Sequence, residues 1–193
     1  MNVIQYSNGA TRFVIQIPAL GIVIKVAKMS VWMAFKVSFS YFVRNDEFSK
    51  RTRHKWFKRT STVYGGSTLG YELFRGVDSN ALEYSVWKKY KFTFLQPTYC
   101  SFFGLINIQK YGEPLSKELG GIFFSEDVFT HNTRLTNYAW RQDNHTLFGG
   151  SNYTINHESK GIILLDYGSL KTIKVILKFK EEFQKTLLHA KIS

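Results

Sequence analysis

Three polar residues in this chain sit where a folded backbone would hold them for chemistry. Lys25 lies within Val23-Ile24-Lys25-Val26, a β-branched run that reads as a strand, so a rigid element would fix its ammonium. Asp166 follows the apolar run Gly161-Ile162-Ile163-Leu164-Leu165 and precedes Tyr167-Gly168, which puts a carboxylate at the end of a short buried strand. Asn152 opens the segment Asn152-Tyr153-Thr154-Ile155, 14 residues upstream of Asp166. An amide oxygen and a carboxylate are oxygen donors of the kind that suit magnesium.

The elements that must position these groups follow from the pattern around them. Val3–Tyr6, Arg12–Ile17 and Ile22–Val26 read as three strands joined by turns at Ser7-Asn8-Gly9-Ala10 and Pro18-Ala19-Leu20-Gly21, an antiparallel meander. Residues 31–59 read as helical and end on a basic run. Residues 60–76, rich in Gly, Ser and Thr, read as a loop. Asp78 or Ser79 is placed to cap a helix that carries Leu82, Glu83, Val86 and Trp87. Residues 92–109 read as two strands around Phe103-Gly104. Beyond Glu113-Pro114 the chain is expected to be mainly helical, with a helix over Thr133–Arg141, a short strand at Ile162–Leu165 and a closing helix over Lys174–Ala190. The expected class is α+β with two lobes: a strand domain over 1–112 with a basic helical insertion at about 30–75, and a reduced, mostly helical lobe over 113–193.

The order of these pieces resembles the protein-kinase fold, in particular small atypical bacterial kinase-like and lipopolysaccharide-kinase-like proteins. Val23-Ile24-Lys25-Val26 resembles the strand lysine that meets ATP phosphates, and Asp166-Tyr167-Gly168 resembles the motif whose aspartate holds Mg²⁺. The resemblance implies that Glu83 pairs with Lys25, with Glu72 as a rival for that role. It also implies that Asn152 joins Asp166 at the metal, that Gly9 lies in the phosphate turn, and that Leu105–Leu115 leads between the lobes. ATP and Mg²⁺ are the implied cofactors.

Departures from the family pattern bear on activity. The catalytic aspartate lies five residues before the metal asparagine in the pattern H-R-D-L-x-x-x-N, and here that position is Leu147. His145 stands where the histidine of the pattern falls, and Asp143 is a carboxylate at the wrong offset. The turn at Gly9 has one glycine where G-x-G-x-x-G is usual, and only 25 residues follow Gly168. The expectation is a nucleotide-binding pseudokinase or a very weak phosphotransferase, whether it is an enzyme being left open. An active atypical small-molecule kinase is one alternative.

Charge points to other partners. The chain carries 26 Lys+Arg against 14 Asp+Glu, a net charge of +12, which favours an anionic partner. Lys50, Arg51, Arg53, Lys55, Lys58 and Arg59, with Trp56 and Phe57 among them, combine charge for phosphates with rings for stacking. A nucleic-acid-binding or membrane-surface interaction protein without catalysis is therefore the second alternative, and an acidic protein is a further partner class. A single cysteine, Cys100, excludes an intrachain disulfide and cysteine-pair zinc sites, and reads as a small core residue. The first residues lack the pattern of a secretion signal, and the apolar stretch at 31–43 is short for a membrane span and contains Lys36. The expected location is cytoplasmic, with peripheral membrane contact as an option.

Overall fold

A computed structural model describes residues 4–9, 11–32, 34–36, 39, 69–116, 133–143, 147–156 and 161–189. Three strands come first: β1 (Gln5–Asn8), β2 (Arg12–Ile17) and β3 (Ile22–Ala27). Pro18 opens a single 3-10 turn between β2 and β3, closed by the Gly21 N–H donating to the Pro18 carbonyl at 3.0 Å. After the helix α1 (Leu69–Tyr90) come β4 (Thr98–Phe102) and β5 (Ile106–Lys110). These five strands form one antiparallel sheet in the order β1-β2-β3-β5-β4, with α1 lying across β3, β4 and β5. The class is α+β, with the three-strand meander and the strand pair around Phe103-Gly104 as expected, except that Ser7 and Asn8, expected in the turn, extend β1 by pairing with Val14 and Phe13.

The second half is built on a hairpin. β6 (Tyr153–Ile155) pairs antiparallel with β7 (Ile162–Leu164), Tyr153 opposite Leu164. Helices α2 (Thr133–Asp143), α3 (Leu170–Lys178) and α4 (Lys180–His189) complete it. The main apolar core lies here. Phe94, Leu135, Leu147, Tyr153, Leu164 and Phe183 are all fully buried, and each such side chain contributes about 1.5–3 kcal/mol relative to exposure. The hairpin is tied to the strand leading into β4: the Leu164 N–H donates to the Phe94 carbonyl at 2.9 Å, and the Gln96 N–H to the Leu164 carbonyl at 3.0 Å. The chain two residues beyond β7 is thereby delivered to the sheet face that α1 covers.

Three expectations are corrected. Residues 69–76 are helix, not loop, so Asp78 and Ser79 lie inside α1 and cap nothing. Gly76, at the end of that stretch, serves packing: a Cβ there would lie 2.3 Å from the Thr11 carbonyl oxygen and 3.0 Å from the Lys28 nitrogen, so only glycine lets α1 approach the sheet this closely. The closing helix is two helices. α3 starts at Leu170, where the Ser169 side chain accepts from the Lys171 N–H, and the backbone turns at Phe179 (φ −125°, ψ 36°). That turn sets the Phe179 ring into the core against Tyr138, and the packing overrides the helical periodicity. Residues 31–32, 34–36 and 39 are helical as expected, and the basic run at 50–59 lies outside the described residues. No described helix is long and apolar enough to cross a membrane.

Candidate functional site

The sheet face beneath α1 is lined with polar side chains where an apolar layer would be the usual solution. Side chains alternate along a strand, so Val23 and Lys25 of β3 share this face with Asn107 and Gln109 of β5. Lys25 is paired with Asn107, and Val23 with Gln109. On β2, Val14 lies opposite Lys25, which places Arg12 diagonally beside it on the same face. From above, α1 contributes Asn80 and Glu83, one turn apart and both fully buried. Beside α1, on the same face, the residues after β7 contribute the Leu165 carbonyl and the Asp166 carboxylate.

These groups form one ionic cluster. Lys25 Nζ donates to Glu83 Oε1 at 2.9 Å and to the Leu165 carbonyl at 3.0 Å. Arg12 Nη1 lies 2.9 Å from Glu83 Oε2, an ion pair without hydrogen-bond alignment, and donates to Asn80 Oδ1 at 3.3 Å. Arg12 Nη2 donates to Asp166 Oδ1 at 2.6 Å. Two cations meet two carboxylates, so the charges balance. Arg12, Lys25 and Glu83 are buried, whereas the Asp166 side chain keeps 43% of its exposure. The cluster therefore opens to solvent at Asp166.

Neutral groups brace the arrangement. The Asn80 amide donates to the Lys25 carbonyl at 3.1 Å and to the Gly104 carbonyl at 3.0 Å, while Asn107 Nδ2 donates to the Asn80 carbonyl at 2.8 Å. Gln109 Nε2 donates to the Leu165 carbonyl at 3.1 Å, so this carbonyl is held by Lys25 and Gln109 together. The Tyr167 hydroxyl donates to the Gln96 carbonyl at 2.8 Å. Gly168 is required by contact: a Cβ there would lie 2.5 Å from the Ser79 carbonyl oxygen, so the Asp166-Tyr167-Gly168 turn sits directly on α1.

Burial and charge set the protonation states. Burial alone would raise the Asp166 carboxyl, but the Arg12 guanidinium and then Lys25 outweigh it and hold the group well below the usual carboxylate range. Burial alone would lower Arg12, and the Asp166 and Glu83 carboxylates more than reverse that. The Lys25 ammonium is lowered, chiefly by burial and further by Arg12, with Glu83 opposing. Burial raises the Tyr167 hydroxyl, so it stays a neutral donor.

Of the residues expected from sequence, Lys25, Glu83 and Asp166 come together from positions far apart in the chain. Glu72 pairs loosely with Arg75 at 3.9 Å and does not serve Lys25. Asn152 ends a 3-10 turn beside the hairpin, and its carbonyl accepts from the Leu165 N–H at 2.7 Å, next to Asp166. Gly9 lies in the β1–β2 turn, where its carbonyl accepts from Lys28 Nζ. Leu147 is fully buried in the core and its carbonyl accepts from the Tyr153 hydroxyl at 2.7 Å. His145, the Asp143 side chain and the basic residues at 50–59 lie outside the described residues. In the segment after β5, the Tyr111 N–H donates to the Gly21 carbonyl at 2.8 Å, and the Lys110 and Tyr111 carbonyls accept from Gln96 Nε2 at 2.9 and 2.8 Å. These peptide groups are thus bonded within the protein.

Arg12, Asn80 and Gln109 were not anticipated. A signal for Arg12 existed in the register, since a short turn between β2 and β3 puts Val14 opposite Lys25 and Arg12 on the same face. Asn80 lies three residues before Glu83 on one helical face. Nothing in the sequence marks Gln109 apart from an ordinary strand glutamine.

The oxygen donors at the hairpin, Asp166 and Asn152, are of the type magnesium takes. One Asp166 oxygen is nevertheless held by Arg12 at 2.6 Å, and a guanidinium brings a permanent positive charge to the place where the cation would sit. As arranged, the residues do not fit a divalent cation. No family model matches the chain, and no match to it was found among curated proteins or solved structures.

Proposed function

We propose that this is a kinase-like nucleotide-binding protein that transfers phosphate weakly or not at all. The observation that carries the reading is the Lys25–Glu83 pair at 2.9 Å, which joins the third strand to the long helix while Lys25 also holds the Leu165 carbonyl, one residue before Asp166. A strand lysine fixed by a helix glutamate, next to a carboxylate at a strand end, is the arrangement kinases use to seat nucleotide phosphates. The strand order, with α1 following β3 in the chain and lying across the sheet, supports the same reading. The proposed two-lobed layout has the five-stranded sheet and α1 as one lobe and the hairpin with α2–α4 as the other.

In this reading Lys25 contacts phosphate and Glu83 positions Lys25. The turn at Gly9 closes over the phosphates without a glycine-rich loop. Weak or absent transfer follows from Leu147: a buried leucine can neither accept the proton of an acceptor hydroxyl nor orient it. The cytoplasmic location belongs to this reading, as nucleotide is supplied there.

Calorimetric titration of ATP into the full chain tests it, with Lys25→Met as the control and circular dichroism to confirm that both are folded. Binding by the wild type that is lost in Lys25→Met is the expected result. A folded wild type that releases no heat at millimolar ATP and gains no thermal stability from it would sink the reading.

A further inference from the structure

Arg12 is the feature that neither the family resemblance nor the proposed function accounts for. It begins β2, lies diagonal to Lys25 across the sheet, and reaches Asn80, Glu83 and Asp166 with its two terminal nitrogens. Asp166 and Glu83 belong to elements 83 residues apart in the chain, and the guanidinium is the group that touches both. Glu83 is divided between two cations: Oε1 goes to Lys25 and Oε2 to Arg12. A plain lysine–glutamate pair would need no second cation.

We propose that the Arg12 guanidinium takes the place of a divalent cation at Asp166, so that the cleft receives a nucleoside polyphosphate without metal. The nucleotide half of this rests on the function proposed above, whereas the cation half does not. A metal between an aspartate and phosphate oxygens does two things: it neutralises the aspartate and offers positive charge to the phosphates. Arg12 does the first at 2.6 Å. It is equipped for the second because a guanidinium has five N–H donors in a planar fork suited to phosphate, and Arg12, itself buried, meets the cluster's one solvent-open member, Asp166, through Nη2. It also excludes the metal. A divalent ion on the same carboxylate oxygen would share it with a permanent cation. Moving Arg12 aside would strip Glu83 and Asp166 of a partner, Glu83 in a fully buried setting.

The test uses the full chain and manganese alone as the first probe, followed by the electron paramagnetic resonance signal of free Mn²⁺. Wild type, Asp166→Asn and Arg12→Gln are compared. The expected result is equal Mn²⁺ uptake by wild type and Asp166→Asn, and uptake gained in Arg12→Gln that the double variant Arg12→Gln/Asp166→Asn loses. Uptake by the wild type that Asp166→Asn abolishes would overturn the cation half, and so would a folded Arg12→Gln that gains none. Should Arg12→Gln not fold, the comparison of wild type with Asp166→Asn still decides, because an arginine in the cation's place permits no Asp166-dependent uptake.

The second probe is ATP, titrated in EDTA and in excess Mg²⁺. Metal-independent seating gives wild-type affinities that agree within about twofold, and Arg12→Gln loses about tenfold or more in EDTA with recovery in Mg²⁺. Wild-type binding that requires Mg²⁺ overturns the inference while leaving the nucleotide reading intact. No binding in either condition overturns the nucleotide reading, and the manganese comparison then judges Arg12 by itself.

Discussion

Lys25 and Glu83 meet at 2.9 Å across 58 positions of sequence, both buried between the sheet and α1, and Glu83 meets Arg12 at the same distance through its other oxygen. The sharing makes the two ends of the Lys25–Glu83 pair unequal. Glu83→Gln leaves two buried cations with Asp166 as their one carboxylate, whereas Lys25→Met leaves Glu83 still paired with Arg12. Removing one partner of a buried ion pair costs about 3–5 kcal/mol when the other is left uncompensated. Urea unfolding should place Glu83→Gln in that range and Lys25→Met clearly below it. Equal losses would mean that Arg12 does not compensate Glu83.

Gly76 offers a test in which local and tertiary preferences disagree. In a helix interior alanine is favoured over glycine by about 1 kcal/mol. A Cβ at this position would nevertheless lie 2.3 Å from a backbone oxygen of Thr11, which no side-chain rotation relieves. Forcing extra volume into a close contact costs about 1–3 kcal/mol. Gly76→Ala is therefore expected to lower the urea midpoint at unchanged m-value, and a raised midpoint would show that α1 does not rest on the β1–β2 turn.

The same position explains where sequence reading stopped. The three-strand meander, the β4–β5 pair and the β6–β7 hairpin were legible because β-branched runs are bounded by turn residues. Lys25, Glu83 and Asp166 stood out because charged groups lie beside apolar strands or on a helical face. The start of α1 was hidden because Gly65-Gly66-Ser67-Thr68-Leu69-Gly70 and Gly76 look like loop chemistry, whereas Gly76 answers a contact with Thr11, far away in sequence. The break between α3 and α4 was hidden for a similar reason, since Phe179 leaves the helix to fill a core made by α2 and the hairpin. Nothing beside Arg12 in the sequence marks it out within its strand. Its partners, Asn80, Glu83 and Asp166, become neighbours only once the sheet, α1 and the hairpin are assembled.

The Arg12–Asp166 contact makes stability depend on acid. The folded-state carboxyl of Asp166 is held below its unfolded value of about 3.9, so the contact contributes in full above that pH and is lost as pH falls through the folded value. Lys25 works in the opposite range. Its ammonium is lowered by burial, so stability gained from its deprotonation rises with pH up to about 10.4, where the unfolded lysine titrates as well. Unfolding free energy measured by urea from pH 2 to 5 should fall less steeply with acid in Asp166→Asn than in the wild type. Parallel acid limbs would show that the carboxylate gains nothing from Arg12.

Leu147 separates a missing base from a merely displaced one. It is fully buried, packed in the core with Tyr153, Leu164 and Phe183, and tied through its carbonyl to the Tyr153 hydroxyl. Leu147→Ala should cost about 2–5 kcal/mol, the usual range for truncating a core leucine. Leu147→Asp should cost more, since an ionised carboxylate there finds no partner among the apolar neighbours and is desolvated by them. Restoring the aspartate of the kinase pattern at this position should therefore fail to create phosphate transfer from ATP, and the loss should appear as lowered stability in urea unfolding. A folded Leu147→Asp that transfers phosphate to an acceptor hydroxyl would mean that residue 147 can reach the cleft, and that the absent base alone keeps the protein inactive.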